Sequence, residues 1–455
     1  MKRIINLILS FILIVLLSNC SNSSDEKVVQ LPVKNDPTVS FRIWFKVGSQ
    51  NDPAGKEGLA SLTANLLSQG ATKNNTYEEI LEKLFPLASY YSCNASTEMT
   101  IFSGRTHLDN INEFYSLFID GILNPAFEES DFNRLKDQAL NYLKTNLKYS
   151  SDEELGKAVL YNDIFEGTPY GHITTGTISG LESITLEDVK DFYNKYYTRD
   201  NYVIGIGGGY EKELLNNLIN DLDKLPEGIV KSISTPNPKP IDGYELTIVE
   251  KNAPATAISM GFPIDILRGS KEWYALSIAN SWFGEHRNSS SHLYQVIRET
   301  RGLNYGDYSY IENFPNGGSR QMPPTNVSRR QQIFEIWIRP VPNETKHFSL
   351  RAALRELKLL VDNGLTENQF ELTRNFLKKY VLHYAPTTME RLGYAIDDKF
   401  YGIDGSHLER FRTMMDKVTL EDVNNAIKKY LPVSYTHLRA HETVLDLVCR
   451  LLLEK

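Results

Sequence analysis

Hydrophobic and polar residues alternate strictly between Val39 and Val47. Val39, Phe41, Ile43, Phe45 and Val47 fall on one side, and Ser40, Arg42, Trp44 and Lys46 on the other. A period of two predicts a strand with one buried face. The spacing then turns helical over 57–68 and 76–87, and 89–103 reads as two short strands. Helices are predicted over 108–122, 128–147, 153–165 and 185–197, then a strand over 202–207 and a helix over 211–225. Residues 226–243 hold four prolines and two glycines and read as a linker.

After the linker the pattern starts again. Strands are predicted over 244–250, 256–262, 304–312 and 332–339, with helices over 271–282 and 291–300, and helices dominate 346–431. Thr185-Leu-Glu-Asp-Val189 recurs as Thr419-Leu-Glu-Asp-Val423, each opening an amphipathic helix. Two copies of one α+β unit are the economical reading, at 37–225 and 244–432. The first copy runs from its Thr-Leu-Glu-Asp-Val helix into the strand 202–207. The second reaches Thr436-His-Leu-Arg-Ala-His-Glu-Thr443, which shows no such alternation, so its last strand is expected to be missing.

The ends read differently from the middle. Lys2 and Arg3 precede the apolar run 4–17, which closes in Leu17-Ser18-Asn19-Cys20. This resembles a bacterial lipoprotein signal, and the expectation is removal of 1–19, lipidation of Cys20 and a polar tether over 20–36. Ser21 after the cysteine favours the outer membrane, facing the periplasm or the cell surface. From Val433 the chain reads VSYTHLRAHET, which resembles a translated sequencing adapter, and 433–455 is expected to be adapter-encoded. His437, His441 and Glu442 therefore carry no weight as metal ligands.

Composition narrows the class. Among 455 residues 23% are charged and 41% hydrophobic, values of a globular chain. Three cysteines exclude a disulfide scaffold, and a net charge of −8 argues against nucleic acid as a partner.

Several motifs together resemble the insulinase/pitrilysin-type zinc metallopeptidases and the related processing peptidases. They are Gly58-Leu-Ala60, Tyr170-Gly-His172 ahead of Gly176, and Tyr196-Tyr197 with Asn201. Leu293-Tyr-Gln-Val-Ile-Arg298 running on to Tyr305 completes the set. The resemblance implies two homologous α+β halves, each an antiparallel-rich sheet packed with helices, forming a clamshell. Active members carry H-x-x-E-H after Gly-Leu-Ala, with zinc on the histidines and the glutamate as base. The matching positions here are Ser61, Leu62, Thr63, Ala64 and Asn65, and the third ligand position falls near Asn141 or Tyr142. No metal is expected on this chain. Arg298 and Tyr305 match the pair that reaches substrate in the family. The family includes two-subunit enzymes, so the resemblance implies a non-catalytic subunit, inactive alone, whose partner subunit bears the zinc and whose substrates are peptides. A stand-alone peptide-binding or scaffold lipoprotein is the alternative. A third reading is an active peptidase with an unrecognised site. Gly205-Ile-Gly-Gly-Gly209 is read as a strand-end turn, and Glu285, His286 and His292 as a loop and a helix start.

Overall fold

A computed structural model describes residues 27–238, 243–317 and 320–431, and the backbone of 436–442. The signal-like segment 1–19, Cys20, the start of the tether and the rest of the tail lie outside the described residues. The first half builds a sheet from β1 (Val28–Pro32), β2 (Thr38–Phe45), β3 (Tyr90–Ala95), β4 (Thr100–His107) and β5 (Tyr202–Gly208), in the order β1-β5-β2-β4-β3. The second half uses β6 (Tyr244–Glu250), β7 (Ala255–Ile264), β8 (Asp307–Tyr310), β9 (Gln332–Pro342) and β10 (Thr436–Glu442), in the order β6-β10-β7-β9-β8. The two orders are the same. In each sheet one edge pair is parallel and the rest antiparallel. The duplication seen in the helix motif thus extends to the whole unit.

Helices of the first half are α1 (Leu59–Gln69), α2 (Tyr77–Leu84), α3 (Ile111–Leu123), α4 (Glu129–Asn141), α5 (Asp152–Ile164), α6 (Ile178–Ser183), α7 (Leu186–Tyr196) and α8 (Lys212–Leu222). Those of the second are α9 (Lys271–Gly284), α10 (Lys346–Asn363), α11 (Glu367–Tyr380), α12 (Thr388–Tyr401), α13 (His407–Lys417) and α14 (Leu420–Tyr430). The repeated motif works as a reciprocal cap. Thr185 accepts from the Asp188 N–H and Thr419 from the Asp422 N–H, both at 3.2 Å, and each aspartate bonds back to the cap N–H.

The apolar face read between Val39 and Val47 is the core of the first half: Val39, Phe41, Ile43, Phe45 and Val47 are fully buried under its helices. The opposite sheet face is covered by the other half. Trp44, Ile101 and Val203 pack against Ile396 of α12. Reciprocally, Leu160 and Ile164 of α5 pack on Ile333 of β9. Each half therefore lends a helix to its neighbour's sheet.

Four expectations change. Residues 28–32, placed in a tether spanning 20–36, form β1, hydrogen-bonded in parallel to β5. The segment is short and flanked by polar residues, so it lacks the length that periodicity needs. The strand expected to be missing after Leu431 is present in the backbone as β10, between β6 and β7. Backbone N–H and C=O groups left open on two facing edges accept any extended segment, whatever its side-chain pattern. The helix predicted over 291–300 is helical over 292–299, but π-helical rather than α-helical over Tyr294–Glu299. Finally, Gly205 and Gly207 lie within β5 rather than in a turn. A Cβ on either would stand 3.0 Å from Ile396 or Thr388, so these glycines give α12 room to dock.

Candidate functional site

Helix α1 starts where two glycines meet. Gly58 and Gly176 both have positive φ, and a Cβ on Gly176 would lie 2.5 Å from the Gly58 Cα. Only glycine fits both positions. Asp52 then caps α1, accepting from the Gly58 and Ala60 N–H groups at 2.7 Å. His172 holds that carboxylate from the other side, with Nε2 3.1 Å from Oδ2. Gly58, Gly176 and His172 are thus one device that sets the start of α1. Asn201 serves α7 similarly, donating from Nδ2 to the Tyr196 carbonyl at 2.8 Å.

On α1, Ser61 and Asn65 line a cavity of about 350 Å³. Ala64 is fully buried. The facing wall is Gln138 and Tyr142, four residues apart. Asn141 is exposed and forms no part of it; its side chain accepts from Thr145 at 3.4 Å. From Tyr142 the helix widens into a π-helical segment, Tyr142–Ser150.

This donor set does not fit zinc. Zinc takes thiolate, imidazole or carboxylate. Ser61 and Asn65 offer a neutral hydroxyl and amide. Burial, with Glu154 nearby, raises the Tyr142 phenol above its ordinary value, so it is no phenolate. Among the described residues no group of three or more His, Cys, Asp or Glu side chains could hold a metal.

Arg298 lies in the π-helical turn with its guanidinium 4.6 Å from the Tyr294 ring centroid and 3.8 Å from the Glu299 carboxylate. Tyr305 is 78% exposed. Neither residue lines the cavity beside α1.

A larger cavity, about 480 Å³, opens between the halves. Arg42, Lys157, His172 and Arg329 line it, as do Asn94 and Ala95 of β3. Strand β3 is the sheet edge. Arg42 is held in place by its bonds to the Asn326 amide oxygen at 2.5 Å and the Met389 carbonyl at 3.1 Å.

The fold and site define a class: a duplicated α+β unit whose helix α1 and facing wall offer no zinc ligands. Comparison with known proteins gives the family. Residues 27–178 match the family model for insulinase, peptidase family M16, and residues 183–377 match the peptidase M16 inactive domain. The chain belongs to the M16 insulinase family. It is 21% identical over 414 residues to the uncharacterized zinc protease YmxG of Bacillus subtilis, covering 90% of this chain and 94% of that one. It is 24% identical over 324 residues to an uncharacterized zinc protease of Rickettsia bellii, covering 70% and 75%. Among solved structures it resembles an M16 inactive domain from Pseudomonas fluorescens, with a TM-score of 0.80, 21% identity and coverage of 92% and 95%. A protease from Helicobacter pylori is similar at a TM-score of 0.78, with 18% identity and coverage of 91% and 96%. The second half is of the inactive-domain type, consistent with a non-catalytic peptidase-like subunit.

Proposed function

We propose that this chain is the non-catalytic subunit of a heterodimeric zinc metallopeptidase, anchored in the periplasm or at the cell surface through Cys20. One contrast supports the reading. The helix that would carry ligands holds Ser61, Ala64 and Asn65, while Tyr305 stands exposed and Arg298 half-exposed, away from that helix's cavity. A pair that does not line the cavity beside α1 is free to serve a site in another chain. The zinc belongs to the partner, a chain of the same family with an intact motif. In that arrangement the Arg298 fork donates to substrate carbonyls and the Tyr305 hydroxyl donates to an oxyanion. The edge strand β3 offers unpaired backbone groups to an extended peptide.

Co-purification is the direct test. The native chain should bring down a zinc-bearing family member and hold no stoichiometric zinc of its own. Arg298→Ala should cut the activity of the reconstituted pair at least tenfold without blocking assembly, and full activity would return Arg298 to a merely structural role. Cys20→Ala should release the protein from the membrane fraction.

The second reading, a stand-alone peptide-binding lipoprotein, draws on the polar cavity between the halves. It predicts saturable peptide binding by the isolated chain and no co-purifying peptidase.

A further inference from the structure

The second half contains an aromatic-lined cavity of about 110 Å³ that is partly open to solvent. It lies between α9 and α11, the counterparts of the α1 and α4 pair. Trp273, Ser277 and Asn280 of α9 form one wall, and Tyr380 at the end of α11 and Tyr384 just beyond it form another. Tyr394 of α12 also lines it, its ring parallel to that of Tyr384 at 6.3 Å between centroids.

Three buried polar atoms at its lining lack hydrogen-bond partners. The Glu285 Oε2 atom is inaccessible to solvent and has no hydrogen-bond partner. The Tyr394 hydroxyl and the Trp273 indole N–H, on residues 2% and 6% exposed, have none either. The charges of the lining do not cancel. Arg268 is already paired, with Glu312 at 3.1 Å and Asp397 at 3.5 Å. His286 and His407 are kept neutral by burial, which lowers both. Burial lifts Glu285 to about 7, with only the Ser281 hydroxyl pulling it back and no cation beside it among the described residues. What remains is one unmatched acid facing tyrosine rings.

We propose that this cavity binds a small organic ammonium ion, with Glu285 as its counter-charge and Tyr380, Tyr384 and Tyr394 as its aromatic walls. A cation over aromatic faces is attracted by the ring quadrupole, most strongly when desolvated. An anion would meet Glu285 and Glu312. A neutral apolar guest would leave Oε2 unpartnered. Size sets the class of cation: roughly 150 Å³ holds a benzene ring, so this space takes an ion of about five heavy atoms.

Tetramethylammonium is the probe, with tert-butanol as its neutral analogue of similar shape. The full chain is titrated with each by calorimetry, and its melting temperature is followed in parallel against sodium chloride. Saturable binding of tetramethylammonium, at least tenfold tighter than that of tert-butanol, is the expected result. Glu285→Gln keeps the shape and removes the charge, and should weaken binding tenfold or more. Tyr380→Leu alters a half-exposed wall and should weaken it several-fold, which keeps a result in hand if the first variant folds poorly. Equal binding of the two probes would make the cavity a plain apolar one. No saturable heat with tetramethylammonium would make it a water site. An unchanged affinity in Glu285→Gln would remove the counter-charge. Each of these outcomes overturns the assignment.

Discussion

Asp307 on β8 is fully buried, and its Oδ1 accepts from Asn304 Nδ2 at 2.8 Å while Oδ2 has no partner. Burial lifts its pKa to about 8. The folded chain therefore holds a proton there that the unfolded chain releases near its ordinary value. Stability then falls as pH rises from about 4 to about 8. Asp307→Asn should flatten that fall and raise the melting temperature at pH 8, with little change at pH 4.5; identical pH profiles in thermal melts would count against it. Single residues were legible in sequence where a motif position fixed them. Ser61, Ala64 and Asn65 fell where H-x-x-E-H belongs, and the structure puts Ser61 and Asn65 at the cavity and buries Ala64. The facing wall was less legible. Asn141 and Tyr142 are adjacent in sequence, and only helix phase tells that Tyr142 shares a face with Gln138. Glu285 reads as loop because Asn288-Ser-Ser-Ser291 follows it, and nothing local shows that the aromatic residues of 380–394 fold over it.

At the scale of elements, the repeat was the stronger guide. The caps at Thr185 and Thr419 were readable because a hydroxyl three residues before a carboxylate is a local code. Thr419→Ala should cost about 1 kcal/mol, measured as a shift in the urea midpoint; no shift would mean that the Asp422 bond to the Thr419 N–H alone holds the helix start. Strand β1 was not readable from its own residues. It was implicit in the repeat, since β6 precedes β7 as β1 precedes β2 in the same sheet order. Its backbone pairs with β5 from Val28 to Pro32, and Val33 donates to the Gly208 carbonyl at 2.9 Å. Pairing of this kind depends on extended shape more than on side chains, which is why alternation missed it. A chain starting at Lys34 should therefore lose stability, with faster amide exchange along β5. Unchanged protection at Tyr202–Gly208 would show β1 to be dispensable.

At the scale of the whole molecule, the question is whether the linker joins two free bodies or one. A proline-rich linker usually predicts relative motion, yet the exchanged helices argue for one body. Glu98, 4% exposed, accepts from the Arg330 N–H and Nε, both at 2.6 Å, across the boundary. Glu153 of α5 pairs with Arg339 at 2.6 Å. Lys157 is buried among the second half's residues, donating to the Phe314 carbonyl at 2.7 Å with Nζ 3.6 Å from the Trp337 ring centroid. Burial lowers its pKa while Glu335 and Glu154 raise it, so the lysine is held by a charge network that only the docked halves complete. Around these lie the apolar contacts of Ile396 with Trp44 and of Ile333 with Leu160. A protease nick between 226 and 243 should therefore leave two fragments that co-elute on gel filtration. The double variant Glu98→Gln with Lys157→Ala leaves Arg330 without its carboxylate and removes the Lys157 bond to the Phe314 carbonyl, and removing one member of a buried pair costs on the order of 3 kcal/mol. After the same nick its fragments should separate. If the nicked wild-type halves part on their own, the exchanged helices do not hold them. The cavity between the halves would then open and close with the linker rather than form a fixed wall.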